Sequence, residues 1–222
     1  MKQSIETVKT EKEPTMEKHI KLTTEDITTV NVAVKDAQVG ETAVLQVAKP
    51  LKNDTPDINT YAKLKDLQFH NGIIEVKMLS RLLPEAPDYA RGFIGIVFRA
   101  NDSDSEFESF YVRPTNGRGC TDPIRRSHGC QYFSFPGYTF SYFRDFGITA
   151  YEAPVDVALD EWITLKAVIE DDRAEFYLNH SPDPLLVVGG LKHGKGNHGA
   201  VGLYVDNGTE GYFSEIRVIC TD

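Results

Sequence analysis

Several features that would name a function outright are missing from this chain, and each absence removes a class of protein. No stretch approaches the ~20 uninterrupted apolar residues that a membrane-spanning helix needs. The residues from Met1 to Lys21 interleave Lys2, Glu6, Lys9, Glu11, Lys12, Glu13, Glu17 and Lys18, and hold no apolar run of the kind a secretory leader requires. The expected location is therefore cytoplasmic, with an exported form whose leader is absent from this chain as the alternative. Basic residues are outnumbered, 24 against 33 acids, for a formal net charge of -9. Lys and Arg would have to neutralise phosphates, so neither a nucleic acid nor an anionic membrane surface is an expected partner.

Cysteine is scarce. Cys120, Cys130 and Cys220 form an odd set, which a complete disulfide framework would not leave. Free thiols are expected; a Cys120–Cys130 bridge is the alternative in an oxidising compartment, where it would stabilise by about 3 kcal/mol in the chain-entropy model. Cys120, His128 and Cys130 lack a fourth ligand at any familiar zinc spacing, so no metal is expected there. No Gly-x-Ser-x-Gly elbow is present, and the glycine-rich run from Gly189 to Gly196 opens no helix whose amides could hold a phosphate. Helical periodicity of convincing length is absent as well.

What the chain does have is alternation. Ile163, Leu165, Ala167 and Ile169 fall on one face of an extended run, and Ala174, Phe176 and Leu178 fall on one face of the next, across the polar turn Asp171-Asp172. A second pair, Gly199 to Val205 and Tyr212 to Ile219, is joined by Asp206 to Gly211, whose Asn and Gly suit a reversal. Further strand-like runs are Ala43–Ala48, Gly72–Ser80, Gly92–Ala100, Glu106–Arg113, Gln131–Phe135 and Leu185–Leu191, separated by segments rich in Pro, Asn, Asp and Ser. Many short strands without crossover helices make an all-β, two-sheet antiparallel jelly-roll sandwich. The expected organisation is a polar tail over residues 1–20 and a single β-sandwich domain over 21–222, with an aromatic and Arg-rich insertion at about 114–154.

That insertion carries the functional argument. Tyr132, Phe133, Phe135, Tyr138, Phe140, Tyr142, Phe143 and Phe146 crowd into it beside Arg125, Arg126 and His128, too aromatic for disorder. Sugars present apolar C–H faces that stack on aromatic rings, and hydroxyls that need planar donors and carboxylates. Parity puts Gly95, Val97 and Arg99 opposite Ile94, Ile96 and Phe98, and puts Tyr111 and Arg113 opposite Phe110, so Arg99, Tyr111 and Arg113 read as lining an exposed concave face. The expected ligand set is Arg99, Tyr111, Arg113, Asn116, Arg125, Arg126, His128 and Tyr132, and the expected partner is a saccharide. A glycosidase-like hydrolase would need a carboxylate pair, for which Glu106 and Glu108 are the candidates. A protein-interaction sandwich using the aromatic cluster is the third reading. No cofactor is expected, calcium on the acidic loop Asp102 to Glu106 being the alternative to simple solvation.

Trp162 to Asn179 followed by Gly199 to Val218 resembles the closing strands of the concanavalin A-like lectin and glucanase superfamily. Gly95-Ile96-Val97-Phe98-Arg99 with Phe107-Glu108 is similar to a strand pair of the 3-keto-disaccharide hydrolase branch; laminin-G-like domains are the other nearby branch. The resemblance spans roughly residues 40 to 219 and implies a two-sheet jelly roll with a carbohydrate ligand on its concave face. Family-16 glycoside hydrolases of this fold carry Glu-x-Asp-x-Glu, which Asp104-Ser105-Glu106-Phe107-Glu108 only approximates.

Overall fold

The computed structural model describes residues 16–50 and 55–221. Residues 1–15 of the expected tail and 51–54 of the loop before Thr55 lie outside the described residues. In chain order the strands are β1 (Met16–Lys21), β2 (Ile27–Val30), β3 (Ala33–Val39), β4 (Thr42–Ala48), β5 (Tyr61–Leu64), β6 (Gly72–Leu82), β7 (Ile94–Ala100) and β8 (Phe107–Val112). The helix α1 (Pro123–Ser127) precedes β9 (Cys130–Phe135), and α2 (Phe140–Asp145) precedes β10 (Glu152–Ala153). The chain closes with β11 (Ile163–Glu170), β12 (Arg173–Leu178), β13 (Leu186–Gly189), β14 (Ala200–Val205) and β15 (Thr209–Cys220).

Two antiparallel sheets stack as a sandwich. One runs β13-β12-β11-β6-β15-β4-β3, with β1 continuing beside the far half of β15; the other runs β10-β9-β8-β7-β14-β5-β2. Met16 to Lys21 thus pairs with Glu215 to Cys220, so residues 16–20, expected as tail, are strand. The alternating face read from the β11–β12 hairpin is the buried one: Ile163, Leu165, Ala167, Ile169, Ala174 and Phe176 pack against Ile94, Ile96, Phe98, Phe110 and Val112 of the other sheet. Burial of a side chain of that kind contributes on the order of 2 kcal/mol, which is what makes the period-two pattern legible.

The seven-stranded sheet is apolar on its outer face too. Val97, Phe107, Tyr111, Phe133 and Tyr204 form a second cluster there, covered by Phe143 of α2. Tyr111 stacks on Tyr204 at 5.4 Å between centroids and meets Phe133 edge-on at 5.7 Å. This covered outer face is where the insertion folds back, and it positions the cleft described next.

Candidate functional site

β8 ends at Val112, and the loop that follows turns through Pro114 and Asn116 toward α1. Gly117 presses on the Val157 carbonyl so closely that an added Cβ would lie 2.1 Å from that oxygen, which holds Asn116 against the sandwich. Asp122 caps α1, accepting from the amides of Ile124 at 2.9 Å and Arg125 at 3.3 Å, while Pro123 supplies the preset φ of the first turn. These local choices aim Arg125 and His128 back across the end of β8.

Together with the loops at Thr55–Asp57, Tyr89–Phe93 and Asp206–Asn207 and the start of α2, they enclose a cleft of about 660 Å³. Of the eight expected ligand residues, Tyr111, Arg113, Asn116, Arg125 and His128 line it. Phe140 of the expected aromatic cluster lines it too, whereas the sequence missed Asp57, Tyr89, Arg91, Phe93, Arg144, Asp206 and Asn207, which also line it.

Arg113 is buried at the base. Its Nη1 donates to Glu152 Oε1 at 2.9 Å and to the His128 carbonyl at 3.1 Å, and its Nη2 to the Tyr111 hydroxyl at 3.0 Å and to Gln131 Oε1. Glu152 is shared three ways, because Arg144 Nη2 reaches Oε1 at 3.4 Å and His128 Nδ1 lies 2.7 Å from Oε2. Arg144 Nη1 also stands 3.2 Å from His128 Nε2. A guanidinium has only protons to give, so in that contact Nε2 can only accept, and Nδ1 is the ring nitrogen that faces the Glu152 carboxylate. The Phe140 ring lies under two cations, 5.0 Å from the Arg144 guanidinium carbon and 5.8 Å from that of Arg113.

Two carboxyl groups adjoin this arrangement. Asp206 Oδ1 accepts from Lys49 Nζ at 2.6 Å in a fully buried ion pair, and Oδ2 accepts from the Asp57 amide at 3.1 Å. Asp57 adopts a positive φ of 49°, a conformation that Asp tolerates better than most residues. Its own carboxyl accepts from the Phe140 amide and faces the Tyr111 hydroxyl at 3.2 Å. Burial, and next the negative charge of Asp206, push its pKa up to about 7. At the mouth Tyr89 is 47 % exposed and makes no ring contact among the described residues.

Three expected ligand residues lie elsewhere. Arg99 sits in a β-bulge, where β14 pairs Ala200 with Ala100 and then Gly202 with Val97, and it takes a φ of 54°. The extra residue turns its side chain off the parity face. There it is fully buried and donates to the carbonyls of His70 at 2.9 Å and Asp171 at 2.8 Å, tying loops together at the far end of the sandwich. Tyr132 belongs to the inter-sheet core, and Arg126 is exposed on α1 outside the cleft.

The Glu106 and Glu108 candidates do not meet at the cleft. Glu106 is exposed, whereas Glu108 is buried between the sheets, accepting from the Tyr132 hydroxyl at 2.6 Å and the His193 amide at 2.9 Å. Its role is to pin the loop after β13. In the acidic loop, Asp104 is held by Lys63 Nζ at 2.7 Å and by the Tyr61 hydroxyl at 2.7 Å. Among the described residues no group of three His, Cys, Asp or Glu side chains could hold a metal ion. The three cysteines are buried and free, and burial pushes the Cys130 thiol up to about 12. Among the described residues no helix is long and apolar enough to cross a membrane.

No protein-family model matches the chain, and no curated protein matches it either. Solved structures do. The carbohydrate binding module CBM66 from Bacillus subtilis superposes with a TM-score of 0.52 at 14 % identity, covering 88 % of this chain and 92 % of that one. A protein of unknown function with a galectin-like fold, also from Bacillus subtilis, gives 0.52 at 12 % identity, covering 89 % and 90 %. The fold they share with this chain is an all-β, two-sheet antiparallel jelly-roll sandwich.

Proposed function

We propose that this protein binds a saccharide in the cleft at the end of β8. One observation carries the reading: a cleft of about 660 Å³ combines planar donors (Arg113, Asn116, Arg125), carboxyl groups (Asp57, Asp206) and aromatic walls (Tyr89, Phe140). Those are the group types that hydroxyl-rich, C–H-faced ligands require, and the volume is in the range of small-ligand sites. The folds of a carbohydrate binding module and a galectin-like protein are consistent with it. Titration calorimetry guided by a glycan array is the test. Tyr89 is the aromatic to remove, because it is half exposed and its loss leaves no cavity. Tyr89→Ala is expected to weaken binding about three- to tenfold, the worth of one aromatic contact, with an unchanged unfolding temperature. Unaltered affinity in that variant would remove Tyr89 from the site.

A hydrolase is the second reading, and a specific feature favours it. Asp57, its pKa pushed up to about 7, and Asp206, paired with Lys49, both line the cleft, and glycoside hydrolysis uses two carboxyl groups. If the cleft is catalytic, reducing ends accumulate from a bound oligosaccharide and Asp57→Asn abolishes their release while retaining affinity. Intact oligosaccharide after prolonged incubation leaves binding alone.

A further inference from the structure

The charge of the cleft runs against that of the molecule. The chain carries a net charge of -9, yet Arg91, Arg113, Arg125 and Arg144 all line this one opening. Arg113 and Arg144 share Glu152, and Asp206 is matched by Lys49. Among the described residues Arg91 and Arg125 have no such partner. Among the described residues Arg125 reaches only the Asn116 carboxamide, at 3.3 Å, and its buried Nε has no acceptor. Arg91 Nη1 donates to two backbone carbonyls, those of Asp88 at 2.6 Å and Ala90 at 2.8 Å. Burial, and after it the charges of Arg125 and Arg113, pull the pKa of Arg91 below its ordinary value. Positive potential is therefore concentrated here, and among the described residues no carboxylate forms an ion pair with Arg91 or Arg125.

We infer that the ligand is an anionic saccharide, whose carboxylate or sulfate group is received by Arg91 and Arg125 while its ring meets Tyr89. This rests on the saccharide reading and narrows its substrate class. A guanidinium fork matches the planar oxygens of a carboxylate or the tetrahedral oxygens of a sulfate, and such charge-assisted bonds are about twice as strong as neutral ones. A neutral sugar could accept from the Arg125 Nε but would leave the guanidinium charges repelling one another, a cost that only an anion relieves.

The test is a glycan array of uronate-bearing and sulfate-bearing glycans printed beside their neutral parents, read with the full chain and followed by calorimetry. Acidic members should bind about tenfold or more tightly than their parents, with affinity falling as sodium chloride rises. The uronate and sulfate series tell the two anionic groups apart. Arg125→Gln and, separately, Arg91→Gln should each cost about tenfold or more on the acidic glycan, with unfolding temperature measured alongside. A folded Arg125→Gln protein that binds the acidic glycan like wild type overturns the inference. Equal affinity of wild type for acidic and neutral members overturns it too, while leaving the saccharide reading intact. Binding to no glycan at all overturns that reading and this inference with it.

Discussion

Asp57 decides how the cleft responds to pH. Its carboxyl is pushed up to about 7, first by burial and then by Asp206, whereas in the unfolded chain it titrates near 4. The folded state thus holds a proton over an interval in which the unfolded chain has released it. The sign follows: the contribution is full below about pH 4 and is lost as pH rises through about 7. Asp57→Asn keeps the shape and abolishes the titration, so it should flatten that decline by up to roughly 4 kcal/mol. Urea unfolding of both proteins at about pH 5 and about pH 8 measures it, and identical pH slopes would refute the assignment. Arg113 behaves differently. Removing it takes the nearest guanidinium from Glu152, whose side chain is 4 % exposed, and leaves it only His128 and the more distant Arg144, so Arg113→Ala is expected to cost up to about 3–5 kcal/mol of stability and says little about binding.

Among the elements, the loop between β8 and α1 is the one that shapes the site. Gly117→Ala would drive a methyl into the Val157 carbonyl, and neither backbone can retreat without moving Asn116. A loss of about 1–3 kcal/mol is expected by thermal unfolding, with weaker glycan binding; a stable variant would mean that the loop yields. The strands themselves are legible from sequence because each buries one face, and period two survives wherever the ladder is regular. It fails at Arg99, since a bulge shifts parity by one residue and no residue type announces it. Tyr132 fails for a related reason: the sheet places it opposite Phe110, on the core side, although Phe133 and Phe135 beside it belong to the outer-face cluster. The six-residue α2 is too short to show a helical period. Arg113, Asn116, Arg125 and His128 could be found together because they are near in sequence. Asp57, Tyr89, Arg91 and Asp206 could not, because only the antiparallel return of distant strands brings their loops to one edge.

At the scale of the molecule, the two outer faces report on one shared core. Trp162, the chain's single tryptophan, packs with Val44, Leu79 and Tyr212 on the outside of the eight-stranded sheet, and Tyr111, Phe133, Phe143 and Tyr204 pack on the outside of the other. Between them runs the inter-sheet cluster to which both sheets contribute. The cover over the cleft is tied into the same body: Phe143 is buried, the Tyr132 amide donates to the Tyr151 carbonyl at 3.0 Å, and the Phe140 amide bonds Asp57. A cover anchored on the backbone of β9 and on a buried carboxyl loses those bonds only when the sheet beneath it opens. Trp162 fluorescence and the near-ultraviolet circular dichroism of the tyrosine cluster should therefore give one urea midpoint. An earlier transition in the tyrosine signal would show that residues 136–151 unfold on their own; the cleft would then be assembled on binding, with an ordering cost that lowers affinity.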